Sequence, residues 1–397
     1  MNHKSVSIKT LLEILFISTR LGLTSFGGPT AHLGYFYEEY VRRRKWIDEK
    51  SYAELVALCQ FLPGPSSSQV GIGIGVVRGG VIGGIISFFG FTMPSVIALI
   101  IFALAVDALS IGEAGWIHGL KLVAVAVVAH AILGMAKNLA PDLTRKAIVL
   151  IGLSISLLWE TAYSQIGIIL FAAVLGFFIY RTNQEEVESV THFPISKRFG
   201  AFCLTLFFGL LIFLPILREV TKVEWVAVFD SVYRAGSLVF GGGHVVLPLL
   251  ESEFVSSGWV SEEAFLAGYG VTQAVPGPLF TFAAYLGAVM NGWAGGLLAT
   301  IAIFLPAFLL VFGALPFWNV LRQNNKVKGA FVGVNAAVVG ILIAAFYDPI
   351  FITSVLAPAD FAFAALLFSM LQFWKCPPWL VVLTGILGGV IIQFVSL

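Results

Sequence analysis

The hexapeptides Gln60-Phe61-Leu62-Pro63-Gly64-Pro65 and Gln273-Ala274-Val275-Pro276-Gly277-Pro278 differ only at their second and third positions. Neither can sit inside a regular helix. Each proline removes an amide N–H and clashes with the preceding turn, and the glycine between them relaxes the backbone. Both lie among long apolar segments, and broken backbone at membrane depth is tolerated only where protein buries it or water reaches it. The break is followed by Ser66-Ser67-Ser68-Gln69 in the first copy, and by Thr281 and Tyr285 in the second. A half-helix beginning at such a break presents free N–H groups and a positive dipole end, which favour an anion.

The rest of the composition fits a membrane setting. Of 397 residues, 58% are hydrophobic and 11% charged, against roughly 25% charged in a soluble domain. Apolar runs long enough to cross hydrocarbon recur, for example over residues 80–106 and 292–321. This identifies an all-α polytopic membrane protein. The N-terminal stretch has a basic flank but no small-residue cleavage pattern, so no cleavable signal is expected. Cys59, Cys203 and Cys376 lie far apart without metal-ligand spacing and read as small buried hydrophobes. No metal and no cofactor is expected, and the charge pattern gives no reason to expect a nucleic-acid partner.

Working outward from the two breaks, the duplication extends in both directions. Arg20-Leu-Gly-Leu-Thr-Ser-Phe26-Gly27-Gly28 resembles Arg234-Ala-Gly-Ser-Leu-Val-Phe240-Gly241-Gly242, and Trp46-Ile47-Asp48-Glu49 resembles Trp259-Val260-Ser261-Glu262. Gly83-Gly84 matches Gly295-Gly296, and Pro94 matches Pro306; the offset drifts only from 214 to 210. The expected organisation is a first repeat over residues 10–180, a linker with one connecting span over 181–222, and a second repeat over 223–397. Asp48 and Ser261 are expected helix N-caps, each preceded by a hydrophobe.

Lys and Arg mark cytoplasmic loops. The loop around Arg42-Arg43-Arg44-Lys45 is basic, whereas its counterpart around Ser256-Ser257-Gly258 carries no Lys or Arg. The loop near Asp107 is acidic, and its counterpart holds Arg322, Lys326 and Lys328. Opposite bias at equivalent loops predicts two repeats of inverted topology with a cytoplasmic N-terminus. Each repeat is expected to enter and return twice as broken hairpins, around FGG and then PGP, before four full spans. Arg78 is expected at membrane depth.

Several residues are candidates for substrate contact. Gly27 and Gly28, and Gly241 and Gly242, break the backbone ahead of His32 and His244. The histidines suit anion contact, proton coupling or an interhelical hydrogen bond. Arg20 and Arg234 stand six residues before each FGG phenylalanine. An arginine at membrane depth is expensive unless paired or solvated, and its planar fork suits oxyanions. Snorkelling, or pairing with Glu13 or Asp230, is the alternative. Arg78 has Met290-Asn291 opposite it in the second copy. With Gln60, Pro63, Gly64, Pro65, Ser66, Ser67, Gln273, Pro276, Gly277 and Pro278, these form the expected binding set.

No phosphate-binding or dinucleotide loop, HExxH or GxSxG occurs, so neither ATP hydrolysis nor another enzymatic activity is expected. The R-x-G-x-x-x-FGG segment, the loop ending in W-hydrophobic-x-E and the Q-x-x-PGP motif, in order and twice, resemble the chromate ion transporter family. The resemblance implies secondary transport of chromate, typically export across the bacterial inner membrane that confers resistance, with sulfate as a related or competing anion. It also implies inverted halves and alternating access; a homodimer is a compatible assembly. A sulfate or other oxyanion transporter, or an anion channel of the same architecture, is the alternative. Two departures stand out: the second copy reads FGGGH where the first reads FGGPTAH, and Arg78 lacks an arginine counterpart.

Overall fold

A computed structural model describes residues 7–26, 28–108, 115–159, 162–180, 195–240, 243–318 and 325–396. Among these residues the regular structure is entirely helical. The first seven helices are α1 (Ile8–Thr24), α2 (Gly28–Phe36, running on as a wider π turn Tyr37–Arg43), α3 (Glu49–Phe61), α4 (Ser66–Ala108), α5 (Gly115–Leu139), α6 (Leu143–Leu158) and α7 (Ala162–Ile179). After a single long helix α8 (Lys197–Thr221), the order repeats as α9 (Glu224–Leu238), α10 (Val246–Phe254), α11 (Glu262–Thr272), α12 (Phe282–Ala314), α13 (Asn325–Ala345), α14 (Pro358–Gln372) and α15 (Pro378–Ser396). Five stretches are long and apolar enough to cross a membrane: Ser66–Ala105, Gly115–Leu139, Lys197–Thr221, Leu279–Phe317 and Gly329–Ser354. At 16 and 15 residues, α6 and α14 are shorter than the full spans expected from the sequence, since about 20 residues cross the hydrocarbon.

The longest helix is not a rod. Gly79 and Gly80 leave the helical region, Gly80 at φ +61°. A Cβ placed on Gly75 would lie 2.4 Å from the Gly83 carbonyl oxygen, although eight residues of straight helix span ~12 Å. So α4 is a hairpin with arms 66–78 and 81–108. The same device recurs in α12, where Asn291 and Gly292 break the helix and a Cβ on Gly287 would meet the Gly295 carbonyl at 2.2 Å. The sequence pairs Gly83-Gly84 with Gly295-Gly296, and the structure explains why: the second arm can close on the first only without side chains between them.

This turn settles where the broken segments go. Arg78, closing the first arm of α4, bonds Glu13 in α1 and lies over the Trp46 ring just ahead of α3. The segment 46–78 therefore starts and ends at one end of the molecule with PGP at its tip. Arg44, after α2, also bonds Glu13, so α1 and α2 form a second hairpin with FGG at its tip. Both broken segments thus return to the end from which they start. Arg78 lies at the mouth of the hairpins, because the turn at Gly79-Gly80 brings it back to the end where α1 begins.

Contacts along the second arm of α4 fix directions. Ile14 packs against Gly83, Ser18 Oγ bonds Ser87 Oγ at 3.1 Å, and a Cβ on Gly22 would touch the Phe91 carbonyl. Thus α1 runs parallel to that arm. Against α12 the sense reverses: Phe88 packs on Phe304 and Phe308, while Ile100 sits against Gly296. Equivalent arms of the two halves therefore lie antiparallel, with the mouths at opposite ends. Beyond them the halves exchange helices: α5 packs on α14 and α15, and α13 on α6 and α7. Close glycine approaches (Gly119 on Gly385, Gly333 on Gly176) mark both exchanges.

Local signals match the repeat closely. Asp48 Oδ1 accepts the Ser51 amide at 2.9 Å, and Ser261 Oγ accepts the Ala264 amide at 3.2 Å. Both are N-caps, as the sequence predicts. The Ser51 amide holds the Asp48 carboxyl below its ordinary range. Ahead of each cap the chain passes through the left-handed region, at Gly258 (φ +74°) in the second half and at Lys45 (φ +53°) in the first.

Two stability predictions follow from these positions. Gly75→Ala should cost about 3 kcal/mol by overpacking and broaden the gel-filtration peak of the purified protein. Gly209→Ala on α8, where a Cβ meets nothing within 4 Å, should leave the peak unchanged. Lys45→Gly should raise thermal stability by about 1 kcal/mol by relieving left-handed strain; an unchanged or lower melting temperature would contradict the strained backbone.

Candidate functional site

The four breaks meet. The Gly64 amide donates to the Val239 carbonyl at 2.7 Å, and the Gly277 amide donates to the Ser25 carbonyl at 3.0 Å. Val239 and Ser25 are the last residues before the second and first FGG motifs, so each PGP tip is tied to the FGG break of the other half. Both PGP glycines are at positive φ, +109° and +111°, which only glycine adopts at little cost. Space is tight at both: a Cβ would lie 3.1 Å from Gln69 Nε2 at Gly64, and 2.7 Å from Ser95 Oγ at Gly277.

Side chains complete the circuit. His32 is buried, with Nε2 3.2 Å from the Ser25 carbonyl and Nδ1 3.2 Å from Ser67 Oγ. A carbonyl only accepts, so Nε2 carries the hydrogen and Nδ1 of the neutral ring accepts from the Ser67 hydroxyl. His32 thus ties the first FGG break to the first PGP half-helix. Gln69 Nε2 closes the same break by donating to the Pro63 carbonyl at 2.7 Å. In the second half, Gly243 sits against Leu279, directly after Pro278, and His244 Nδ1 is 2.6 Å from the Tyr269 hydroxyl.

Around this crossing several polar groups have no partner among the described residues. The Ser25, Ser68 and Thr92 hydroxyls, Gln273 Nε2 and the acceptor Gln69 Oε1 are buried and unbonded there. Gln69 is the first residue of the half-helix whose amide finds a backbone acceptor, Pro65, so the amides of Ser66, Ser67 and Ser68 form an N-terminal donor set. Unmet buried donors are costly unless something binds them. Four donor types converging on one broken region suit an oxyanion.

The expected residues divide accordingly. Gly28, His32, Pro63, Gly64, Pro65, Ser66, Ser67, Gln273, Pro276, Gly277 and Pro278 lie at or beside the crossing. Gly27, Gly241 and Gly242 fall outside the described residues. Gln60, although paired with Gln273 by sequence, is exposed on the last turn of α3. Ser68 and Gln69, read from the sequence only as part of the half-helix start, also lie at the crossing, and Ser25, Thr92, Ser95 and Tyr269 lie there without having been named. The repeat could have pointed to Ser25, directly before the first FGG; Thr92 and Ser95 reach the crossing only through the antiparallel packing of the arms.

Arg20 and Arg234 stand ~7.5 Å of helix before the breaks, and each is held by a carboxylate from the neighbouring element. Arg20 pairs with Glu39 at 2.6 Å, and Arg234 with Glu253 at 2.9 Å and Asp230 at 3.0 Å. Arg44 braces Glu39 in the first half at 2.9 Å. In the second half the brace comes from outside the repeat: Arg218 of α8 lies within 3.5 Å of Asp230, 3.4 Å of Glu253 and over the Trp259 ring. Trp259 is the counterpart of Trp46, over which Arg78 lies. The arginine that the second repeat lacks is supplied by the linking helix.

The match of the chromate transporter family profile covers residues 12–177 and 226–390, one stretch in each half. The chain is 27% identical to a probable chromate transport protein of Synechococcus elongatus, over 85% of this chain and 83% of that protein. It is 26% identical to a chromate transport protein of Pseudomonas aeruginosa, over 86% and 81%. To an uncharacterized transporter of Methanocaldococcus jannaschii it is 27% identical, over 84% and 83%. No solved structure matches. With both repeats matched, the chain belongs to the chromate transporter family: it is a multi-pass membrane transporter, not an enzyme.

Proposed function

We propose that the protein is a secondary active transporter of chromate, exporting it across the bacterial cytoplasmic membrane by alternating access, with sulfate as a related anion. The crossed breaks carry this reading. A tetrahedral dianion held there would meet the Ser66–Ser68 amides, the Ser25 and Ser68 hydroxyls and Gln273 Nε2, with Arg20 and Arg234 supplying charge from either side. The donors come from both halves, so motion of one half against the other would rebuild the site facing the opposite mouth.

Antiparallel packing of equivalent arms and opposite Lys/Arg bias both support inverted topology, with the N-terminus and the Arg43 loop cytoplasmic. The mouths differ in the present state. The first holds a cavity of about 390 Å³ beside Arg20; on the Ser256 side a cavity of about 260 Å³ lies against Ser252, Ser256 and Glu262, while the cleft beside Arg234 itself measures about 10 Å³. The difference between the two arginine clusters, one open and one closed, supports carboxylate–arginine clusters as the gates. The relatives named as chromate transport proteins favour chromate over sulfate as the principal substrate.

Gln273→Leu and Ser68→Ala should each lower chromate flux into proteoliposomes at least tenfold while leaving thermal stability equal or higher, because each removes an unpartnered buried polar group. Unchanged flux in both would contradict the site. Single cysteines at Arg43 and Ser256 should label from opposite faces of the membrane; labelling from one face would contradict inversion.

A further inference from the structure

The first mouth carries charge that the break crossing does not use. Its cavity is walled by five cationic side chains and two carboxylates, Glu13 and Glu39, a surplus of three positive charges. At the second mouth Arg218 and Arg234 face Asp230 and Glu253, in balance. The ion-pair skeleton repeats between the halves; the surplus does not.

Lys45 shows that the surplus is held at a cost. Its backbone is left-handed where the other half has Gly258 in the same conformation, so a residue without strain would fit. Lys45 nonetheless lines the cavity, and among the described residues it forms no ion pair. Arg44 and Arg78 are two of the four guanidinium groups on the wall. Arg78 gives one nitrogen to Glu13 at 3.2 Å while its plane lies over Trp46, and Arg44 bonds Glu13 and Glu39. Each fork has five donors, more than these carboxylates take. A recess whose lining carries a net positive charge concentrates anions.

We propose that this mouth is a second anion site, a loading vestibule in which Lys45, Arg44 and Arg78 hold a divalent tetrahedral oxyanion before it passes to the crossed breaks. The proposal rests on the oxyanion-transport reading above. The vestibule is weak and screened by salt, whereas the crossing is buried and tight. It favours loading from the Arg43 side.

The test is equilibrium binding of radiolabelled sulfate to the full-length protein in phosphatidylcholine nanodiscs, at low and high potassium chloride. Two classes of site are expected, the weaker losing about tenfold in affinity on adding salt. The weaker class should also weaken about tenfold in Lys45→Gly and in Arg43→Gln, with the tight class unmoved. Lys45→Gly removes backbone strain and Arg43 is exposed, so both variants should fold; a melting curve checks this. A single tight class, or a weak class that neither variant alters, overturns the vestibule and leaves the transport reading standing. Loss of both classes in the unaltered protein contradicts the transport reading as well. In nanodiscs containing phosphatidylglycerol the weak class should persist; its disappearance would show the pocket to be a lipid-headgroup site and overturn the proposal.

Discussion

Two reciprocal hydrogen bonds, from Gly64 to Val239 and from Gly277 to Ser25, hold the break of each half against that of the other. Backbone amides and carbonyls left open inside a membrane protein must find partners, since lipid offers none. Here each broken helix tip satisfies its counterpart across the pseudo-symmetry rather than within its own hairpin. The cost of breaking four helices thereby becomes an attachment between the halves. Neither PGP tip can keep its geometry alone, because Gly64 leans on the residue preceding one FGG motif and Gly277 on the residue preceding the other.

The same crossing explains the placement of charge. Arginines on α1 and α9, a turn and a half before the breaks, are kept by Glu39 and Glu253, whose side chains are only 5% and 11% exposed. Each carboxylate is held by two arginines, Glu39 by Arg20 and Arg44 and Glu253 by Arg234 and Arg218. The pairs therefore brace the hairpins and hold guanidinium groups beside the path. Arg218 extends this economy: the linking helix also brings the arginine that replaces Arg44 on the carboxylates and Arg78 over the tryptophan.

Much of this was legible in the sequence where a local rule governed it. The prolines and glycines of PGP marked the tips, and Asp48 and Ser261 marked the helix starts; Gly83-Gly84 and Gly295-Gly296 stood out only as a match between the repeats. The return of the PGP segment before residue 80 was legible from the apolar run that starts there, but the pairing of Arg78 with Glu13 and Trp46 was not, because it depends on how α1 packs. Of the roles the sequence left open for His32, the interhelical hydrogen bond is the one visible, with Nε2 and Nδ1 each 3.2 Å from Ser25 and Ser67. The repeat made Gln60 and Gln273 look equivalent, yet one is exposed and the other buried, a difference of packing and not of motif. Arg218 was invisible to repeat comparison because it lies outside both copies.

The central claim is that the four breaks build one anion site. Crystals of the full-length protein soaked in selenate, a tetrahedral dianion with an anomalous scatterer, would locate it directly. The account predicts a selenium peak within hydrogen-bonding reach of the Ser66–Ser68 amides and Gln273. Selenate bound only away from the breaks, in protein that still transports it, would contradict the account.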